Sequence, residues 1–351
     1  MQKISHFTSR ALFHPTSGYY RTRNPLDDFV TAPEISQVFG ELIAAYLLQI
    51  SSTKKSKDLH PLVAQLEAMP QTRNLPLNRG KISLVEMGAG KGTLLRDILV
   101  SVKKLAEKKN LQAADFLEHT MFHIIEINEV LKKIQQENLK NFSVTWHENF
   151  SDFLREADEI FFISNELFDC FPIDQFVKTD IGWCERLIGS GKFITKNFDP
   201  EIHQFVQNLV QVDAPFGAVF EHSFAAKSFM AQLCEALKTR GGIAINFDYG
   251  YVKTEFANTL QAVKNHQKVE VLKNVGEADI TAHVDFSALE KIAKNFELNS
   301  SLITQREFLI SLGIEERRKI LPPSENSAID RLISLDQMGE LFKTHIIWKN
   351  S

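Results

Sequence analysis

Cysteine is scarce in this chain of 351 residues, and its three cysteines have no spacing typical of a metal site or a disulfide framework. Cys170, Cys184 and Cys234 are scattered, which favours reduced, structural thiols. Long apolar runs are also missing. The longest, around 42–50, is too short for a membrane helix, which needs roughly 20 residues. We therefore expect a reducing compartment and no membrane insertion.

Excess positive charge is absent as well. The formal net charge of -4 and the isoelectric point near 6.3 provide no broad attraction for phosphate, so we expect no nucleic-acid partner. The N-terminal residues lack the apolar core of a signal peptide, which predicts a cytoplasmic location. At 44% hydrophobic content the chain can bury a large core, in one elaborated α/β domain or in two domains.

Apolar runs alternate with helical patterns through much of the chain. The runs are ISLVEM, MFHIIEI, FSVTWH, EIFFIS and GGIAINFDYG. Continuous apolar strands that alternate with helices are typical of a parallel sheet covered on both faces. The sequence therefore predicts a doubly wound, mostly parallel α/β fold, to which HIIWK near the C-terminus adds a final edge strand.

Three segments depart from this alternation. A helix is predicted from about Ser36, followed by a polar, Lys-rich connector over 51–80. Turn signals at Gly182 and 189–191 predict a β-hairpin within 172–196, whereas 253–285 shows no clear period. We predict an N-terminal extension over 1–80 and a main domain over 81–351, with insertions at about 172–215 and 253–285.

The most informative local motif is LVEMGAGKGTLL, a glycine-rich turn between the first predicted strand and its helix. Such a turn lets the backbone approach a ligand closely. A Walker A loop is excluded because Lys91 is followed by Gly92 rather than by Ser or Thr. A dinucleotide fingerprint is weakened because Thr93 occupies the place of its third glycine. A purely structural turn remains the alternative.

The turn looks like motif I of class I S-adenosylmethionine methyltransferases. That pattern is acid-x-Gly-x-Gly-x-Gly, matched here by Glu86, Gly88, Gly90 and Gly92. The second predicted strand ends at Glu126, where a carboxylate can accept hydrogen bonds from both ribose hydroxyls. These five residues are the predicted cofactor-binding residues.

Longer motifs carry a more specific resemblance. The stretches GYY, DFVTAPEIS, LVEMGAGKGTLLRDIL, NELFDCFPIDQF, FDYGY and GEADITAHVDFSAL occur in the order found in the MidA/NDUFAF7 family, over about 14–343. The resemblance implies a class I methyltransferase (Rossmann-like) fold with extra helical and loop elements, and S-adenosylmethionine as cofactor. For mitochondrial members it implies protein-arginine methylation linked to assembly of respiratory complex I. Asp27-Asp28-Phe29 departs from the usual Gly-Asp-Phe, and Cys170 from a small residue.

The NELFD stretch follows the fourth strand, where class I enzymes place residues that face the methyl acceptor. Because arginine is cationic, carboxylates would bind it, orient it and accept a proton. We expect Glu166 to grip the guanidinium, Asn165 to position it, Phe168 to form an apolar wall and Asp169 to assist. The alternative is a solvated turn in which Asp169 is structural.

The DDFVTAPEIS stretch is predicted to cover the cofactor. Asp28 would supply a catalytic carboxylate, and Phe29 and Glu34 would line the acceptor pocket, although Asp28 or Glu34 could simply cap the helix. His283 and Asp285 in DITAHVD are placed at the pocket mouth. No further His or Cys cluster completes a metal site there, so we predict no metal.

Three functions compete. The first is an S-adenosylmethionine-dependent protein-arginine methyltransferase, favoured by the acids at Asp28, Glu34, Glu166 and Asp169, which suit a cationic acceptor. The second is an assembly or chaperone-like factor that binds the cofactor with little turnover. The third, an NAD-dependent oxidoreductase, is disfavoured by Thr93. The sequence leaves open the identity of the acceptor, including whether it is a subunit of complex I. It also leaves open the oligomeric state.

Overall fold

The computed structural model describes residues 1–25, 28, 30–51, 81–210 and 213–349. Phe29, one of the predicted pocket residues, lies outside the described residues, as does nearly all of the predicted connector.

The strands of the described chain are numbered in chain order. They are β1 Gln2–Lys3, β2 Ile82–Met87, β3 Thr120–Ile125, β4 Val144–His147, β5 Glu159–Asn165, β6 Asp174–Thr179, β7 Gly182–Gly189, β8 Lys192–Thr195, β9 Val219–His222, β10 Gly242–Tyr251, β11 Gln261–Lys264, β12 Gln267–Val269, β13 Asp279–Thr281, β14 Val284–Asp285, β15 Asn299–Thr304 and β16 Phe342–Trp348.

The helices are numbered in the same way, and a 3-10 turn lies at Pro323–Glu325. They are α1 Ile4–Phe13, α2 Tyr19–Thr22, α3 Ala32–Ile35, α4 Gln37–Ser51, α5 Thr93–Glu107, α6 Leu111–His119, α7 Glu129–Asn138, α8 Phe150–Glu156, α9 Pro200–Val210, α10 Phe224–Arg240, α11 Phe286–Asn295, α12 Gln305–Ser311, α13 Ile314–Lys319, α14 Asn326–Ile333 and α15 Met338–Leu341. Within the described ranges, no helix combines the length and the apolar character needed to cross a bilayer.

The chain divides into two compact units. The first unit comprises Met1–Phe29, Phe168–Met230 and Gly250–Lys291. The second unit comprises Val30–Leu167, Ala231–Tyr249 and Ile292–Ser351.

The second unit is built on a mixed sheet with strand order β15-β16-β10-β5-β2-β3-β4. Five strands, β10, β5, β2, β3 and β4, run parallel to one another. Strand β16 runs antiparallel to both of its neighbours, β10 and β15. The predicted mostly parallel α/β sheet is therefore confirmed. The expectation for HIIWK is wrong, because β16 is paired on both sides and β15 forms the edge.

The strand order reverses at β2. From β2 the chain builds outward through β3 and β4, and it then returns to place β5 on the other side of β2. In open α/β sheets, the crevice at the carboxyl ends of strands beside such a reversal is where ligands bind. The topology therefore directs attention to the residues that follow β2, β3 and β5.

The core of this unit lies where helices pack on the sheet. In α5 the apolar residues Leu94, Leu95, Ile98, Leu99 and Val102 are buried, as their three-to-four spacing predicts. Helix α4 packs so closely against α5 that a Cβ atom built on Gly40 would lie 2.6 Å from the Cβ of Asp97. Burial of these apolar faces, at about 25 cal/mol per Å², is the main force that joins the helices to the sheet.

The first unit contains two smaller antiparallel sheets. One has the order β1-β7-β6-β9, with β8 beside β7, and confirms the predicted hairpin around Gly182. The other has the order β12-β11-β13. It lies within 253–285, where the sequence shows no clear period because these strands are only three or four residues long.

Candidate active site

The glycine-rich turn joins β2 to α5 in the second unit. Gly88, Gly90 and Gly92 all have positive φ, at +72°, +53° and +75°. This left-handed conformation strongly favours glycine over residues with a Cβ atom. The turn is also tightly enclosed, since a Cβ on Gly92 would lie 3.2 Å from Leu139 Cδ1.

Glu86, the acid of the motif, is buried beneath this turn. Its Oε2 accepts a hydrogen bond of 3.1 Å from the backbone N–H of Leu95, in the first turn of α5. Burial raises the pKa of Glu86 to about 8, and the neighbouring charges of Glu126 and Asp97 act in the same direction. The side chain therefore ties β2 to the N-terminus of the helix that follows the turn.

Glu126 follows β3 and is 7% exposed. Its Oε1 accepts a hydrogen bond of 2.8 Å from the N–H of Asn128, and its Oε2 accepts one of 2.9 Å from Nε2 of Gln135. Because β2 and β3 are parallel neighbours, this carboxylate and the glycine turn lie at the same edge of the sheet.

Gln135 on α7 is a residue that the motif search missed. Its side-chain amide connects the glycine turn, Glu126 and β4, and it is completely buried. One signal pointed to it. It occupies the middle of the buried series Leu131, Gln135, Leu139, so a polar residue stands on the apolar stripe of α7.

Glu34, a predicted pocket residue, belongs to α3 and contacts the turn directly. Its Oε1 accepts a hydrogen bond from the hydroxyl of Thr93, the first residue of α5. The N–H of Glu34 donates to the carbonyl of Thr31 at 2.9 Å. The APEI helix thus lies against the glycine turn rather than in an isolated surface position.

Asn165 and Glu166 stand at the carboxyl end of β5. Nδ2 of Asn165 donates to Oε1 of Glu166 at 3.1 Å, and the N–H of Glu166 donates to the carbonyl of Phe247 on β10. Glu166 has φ +52°, a left-handed conformation that is uncommon for a residue with a side chain. Backbone conformations of this kind are concentrated at functional sites.

The first unit contains the remaining predicted acids. Oδ2 of Asp28 accepts a hydrogen bond of 2.6 Å from the Tyr19 hydroxyl, and its Oδ1 accepts one of 2.5 Å from the N–H of Asn265. Asn265 and His266 both have positive φ and form the turn between β11 and β12. Asp28 therefore anchors the N-terminal segment to this hairpin turn.

Asp279 and Asp169 are two further buried acids in this unit. The Tyr20 hydroxyl donates a 2.6 Å hydrogen bond to Oδ1 of Asp279, and the N–H of Ala282 donates to the carbonyl of Asp169 at 3.0 Å. Burial raises the pKa of Asp279 to about 8, with a further contribution from the charge of Asp169. We refer to Asp28, Asp169, Asp279, Tyr19 and Tyr20 as the acid cluster.

Phe168, His283 and Asp285 line a cavity of about 30 Å³ in the first unit, enough for only one or two water molecules. Asp285 accepts a hydrogen bond of 3.0 Å from the N–H of Ala288 and so caps α11. Nearby, Lys227 Nζ lies 3.3 Å from His222 Nδ1, and burial lowers the pKa of the lysine. The cavity by itself is too small for an arginine side chain.

One group with metal-binding spacing occurs within the described residues, and it lies outside the DITAHVD stretch, where the sequence predicts no metal. It consists of His123, His147 and Glu156 in the second unit. Nδ1 of His123 lies 3.0 Å from Nε2 of His147, and burial lowers the pKa of His123 to about 4. A hydrogen bond between two neutral imidazoles accounts for this distance, so the contact does not require an ion.

Comparison with known proteins identifies the chemistry. Residues 62–304 match the model of a family described as S-adenosyl-L-methionine-dependent methyltransferases. The crystal structure of a protein from Burkholderia thailandensis, bound to S-adenosyl-homocysteine, is similar over 99% of this chain and 87% of its own, with a TM-score of 0.75 and 26% identity. The class I methyltransferase fold is confirmed.

Curated relatives are similar over nearly the whole chain. The mitochondrial protein arginine methyltransferase NDUFAF7 of Xenopus tropicalis is 29% identical, over 97% of this chain and 80% of the relative. The Homo sapiens protein of the same name is 26% identical, over 97% of this chain and 78% of the relative. The predicted cytoplasmic location is wrong, because these relatives are named mitochondrial.

S-adenosylmethionine is the cofactor, as predicted, and the residues at the edge of the second unit's sheet fit it. Gly88, Gly90 and Gly92 present backbone without Cβ atoms, and a buried carboxylate stands at the end of the adjacent strand. The individual roles predicted for Glu86, Glu126, Glu166 and the acids of the first unit stay predictions.

Proposed function

Because this chain belongs to the family of S-adenosyl-L-methionine-dependent methyltransferases, we propose that its methyl acceptor is an arginine side chain in a protein. The names of the NDUFAF7 relatives support this choice. The observation in this chain that carries the proposal is the position of Glu166. This residue directly follows β5 and has a left-handed backbone conformation.

The acceptor side of the proposal rests on charge. A guanidinium has a pKa above 12, so it arrives as a cation and must lose a proton as it is methylated. The Glu166 carboxylate would pair with the guanidinium, orient it and receive that proton. The amide of Asn165, which donates to Oε1 of Glu166 at 3.1 Å, would keep the carboxylate in position.

The cofactor side of the proposal rests on the neighbouring strand ends. When bound, S-adenosylmethionine supplies a methyl group activated by a sulfonium centre. Glu126 would accept hydrogen bonds from the ribose hydroxyls, and Gly88, Gly90 and Gly92 would allow close approach of the backbone. A Cβ on Gly88 would lie 3.4 Å from Leu167 Cδ1, so the turn is adjacent to the residue that follows Glu166.

We further propose a subunit of respiratory complex I as the first acceptor to test, on the basis of the resemblance to the MidA/NDUFAF7 family. An exposed arginine in a flexible segment suits this role, since it can reach a carboxylate without unfolding of its own protein.

The proposal is tested with labelled S-adenosylmethionine and the Glu166→Gln variant. Gln keeps the size of the side chain and removes its charge, so the variant should bind S-adenosylhomocysteine normally and lose at least about 100-fold of protein methylation. Glu148→Gln, an exposed acid that follows β4, serves as the matched control.

Mass spectrometry of the labelled proteins identifies the modified residue. Wild-type transfer rates for Glu166→Gln would remove this residue from the proposed role. Label found only in RNA or in small metabolites would contradict arginine as the acceptor.

A further inference from the structure

The Gln135 side chain makes three hydrogen bonds although it is completely buried. Its Nε2 donates to the carbonyl of Gly90 at 2.8 Å and to Oε2 of Glu126 at 2.9 Å, and its Oε1 accepts from Nε1 of Trp146 at 3.0 Å. Both hydrogens of the amide nitrogen and its oxygen are therefore occupied.

These partners leave the amide only one orientation. The indole N–H of Trp146 can only donate, so it must face the amide oxygen. The carbonyl of Gly90 and the carboxylate of Glu126 can accept, so they must face the amide nitrogen. An inverted amide would place oxygen against both acceptors in a buried site, where an unsatisfied polar group is costly.

The amide fixes two parts of the same sheet edge at once. The Asn128 N–H holds Oε1 of Glu126 while Gln135 holds Oε2, so both carboxylate oxygens are oriented. The carbonyl of Gly90 is held by Gln135, and the carbonyl of Lys91 is held by Nδ2 of Asn138, one turn further along α7. Helix α7 thereby sets the path of the glycine turn.

We propose that Gln135 is a positioning residue that holds the Glu126 carboxylate and the glycine turn in the arrangement that recognises the cofactor ribose. The inference rests on the proposed ribose role of Glu126. Gln135 does not itself touch the cofactor in this proposal. It acts through Glu126 and Gly90, and Trp146 acts through Gln135.

A purely structural role and a positioning role differ in what they do to ribose recognition. We compare the affinities of S-adenosylhomocysteine and its 2′,3′-dideoxy analogue by calorimetry. Wild-type protein should prefer the compound with hydroxyls. Gln135→Met should weaken binding of S-adenosylhomocysteine about 10-fold and weaken binding of the analogue much less, because a charge-assisted hydrogen bond is lost.

The adjacent Gln136 is exposed on the same helix, so Gln136→Met is the matched control and should leave both affinities unchanged. Trp146→Phe removes the N–H that orients the amide and replaces the indole by a smaller aromatic ring. It should reduce the preference for ribose hydroxyls about 2- to 5-fold, and it decides the question if Gln135→Met does not fold. Circular dichroism and thermal unfolding establish which variants are folded.

Glu126→Gln separates this inference from the function on which it rests. If Glu126→Gln retains the full preference for ribose hydroxyls, the proposed ribose role of Glu126 is wrong. If Glu126→Gln loses the preference while folded Gln135→Met and Trp146→Phe retain it, Glu126 keeps its role and the positioning role of Gln135 is overturned. Loss of the preference in all three variants supports both.

Discussion

The glycine-turn edge of the second unit and the acid cluster of the first unit both bury carboxylates, but they are assembled in different ways. The glycine-turn edge comprises the glycine turn at 88–92 together with Glu86 and Glu126. At the edge, Glu86 and the three glycines lie within seven consecutive residues. In the acid cluster, Tyr20 and Asp279 are joined by a hydrogen bond across 259 positions of the sequence. Local spacing specifies the first, whereas only the packing of distant segments creates the second.

The two regions also satisfy their buried carboxylates with partly different donors. At the edge, backbone amides and a side-chain amide donate to the carboxylates of Glu86 and Glu126. In the acid cluster, tyrosine hydroxyls donate to Asp28 and Asp279, in addition to the backbone N–H of Asn265 that donates to Asp28. Backbone donors come with the fold of the turn, but each tyrosine must be placed by the tertiary structure. The cluster should therefore depend more on single side chains.

The largest expected effect is a dependence of stability on pH that the two regions share. Burial raises the pKa values of Glu86 and Asp279 to about 8. The folded protein then keeps protons that the unfolded chain releases above about pH 4, so the free energy of unfolding falls as pH rises from about 4 to about 8. Glu86→Gln and Asp279→Asn should each remove the contribution of one carboxyl to this fall in the free energy of unfolding, on the order of 2–5 kcal/mol.

Urea unfolding of both variants at pH 5 and pH 8 measures the effect. Each variant should gain stability relative to wild-type protein at pH 8 and little at pH 5. A slope that neither substitution changes would mean that these two carboxyls are not the source of the pH dependence. Calorimetry should show altered S-adenosylhomocysteine binding for Glu86→Gln alone, which distinguishes the regions.

The next effect concerns the anchor in the acid cluster. Asp28→Ala should lower the free energy of unfolding by about 1–3 kcal/mol, because it removes the carboxylate that accepts hydrogen bonds from the Tyr19 hydroxyl and the N–H of Asn265. Hydrogen exchange at the β11–β12 turn should become faster. Asp28→Asn, which can still accept one of these bonds, should lose less, and equal losses would argue against the anchor.

A smaller effect is expected when Gly92 or Gly191 is replaced by Ala. Comparison of the two variants distinguishes the cost of backbone strain from the effect of the groups around the glycine turn. Gly92 and Gly191 have nearly the same φ, +75° and +72°, but only Gly92 has side chains within 4 Å of the place of its missing Cβ. Both Ala substitutions should cost about 1 kcal/mol of stability. Gly92→Ala alone should weaken cofactor binding, as measured by calorimetry, and equal binding by both variants would exclude a special role for this turn.

The smallest effect is expected at the contact between α3 and α5. Thr93→Val keeps the shape of the side chain but removes the hydroxyl that donates to Glu34. A loss of about 0.5–1.5 kcal/mol should follow, with faster hydrogen exchange in the APEI helix. Glu34→Gln, which keeps an acceptor, is the companion variant. Unchanged exchange in Thr93→Val would show that apolar packing alone holds this helix.

The edge residues that were predicted from sequence share a short-range pattern. A strand, a glycine turn and a helix in succession placed Glu86 and the glycines, and the end of the next apolar run placed Glu126. Gln135 was missed although it lies between Leu131 and Leu139 on the apolar stripe of α7, because its three hydrogen-bond partners are set by the tertiary structure. The hydrogen-bond partner of Asp28 could not be predicted either, because Asn265 lies 237 positions away in the sequence.

By itself, the sequence determined the alternation of strands and helices, the glycine turn and the acid at the end of the second strand, since each depends on residues close together in the chain. Only the tertiary structure decided that β15 covers the edge of β16, that Gln135 joins Gly90 to Glu126, and that tyrosines serve the buried acids of the first unit. These features depend on which distant segments share a buried space, and the need to satisfy every buried polar group selects their partners.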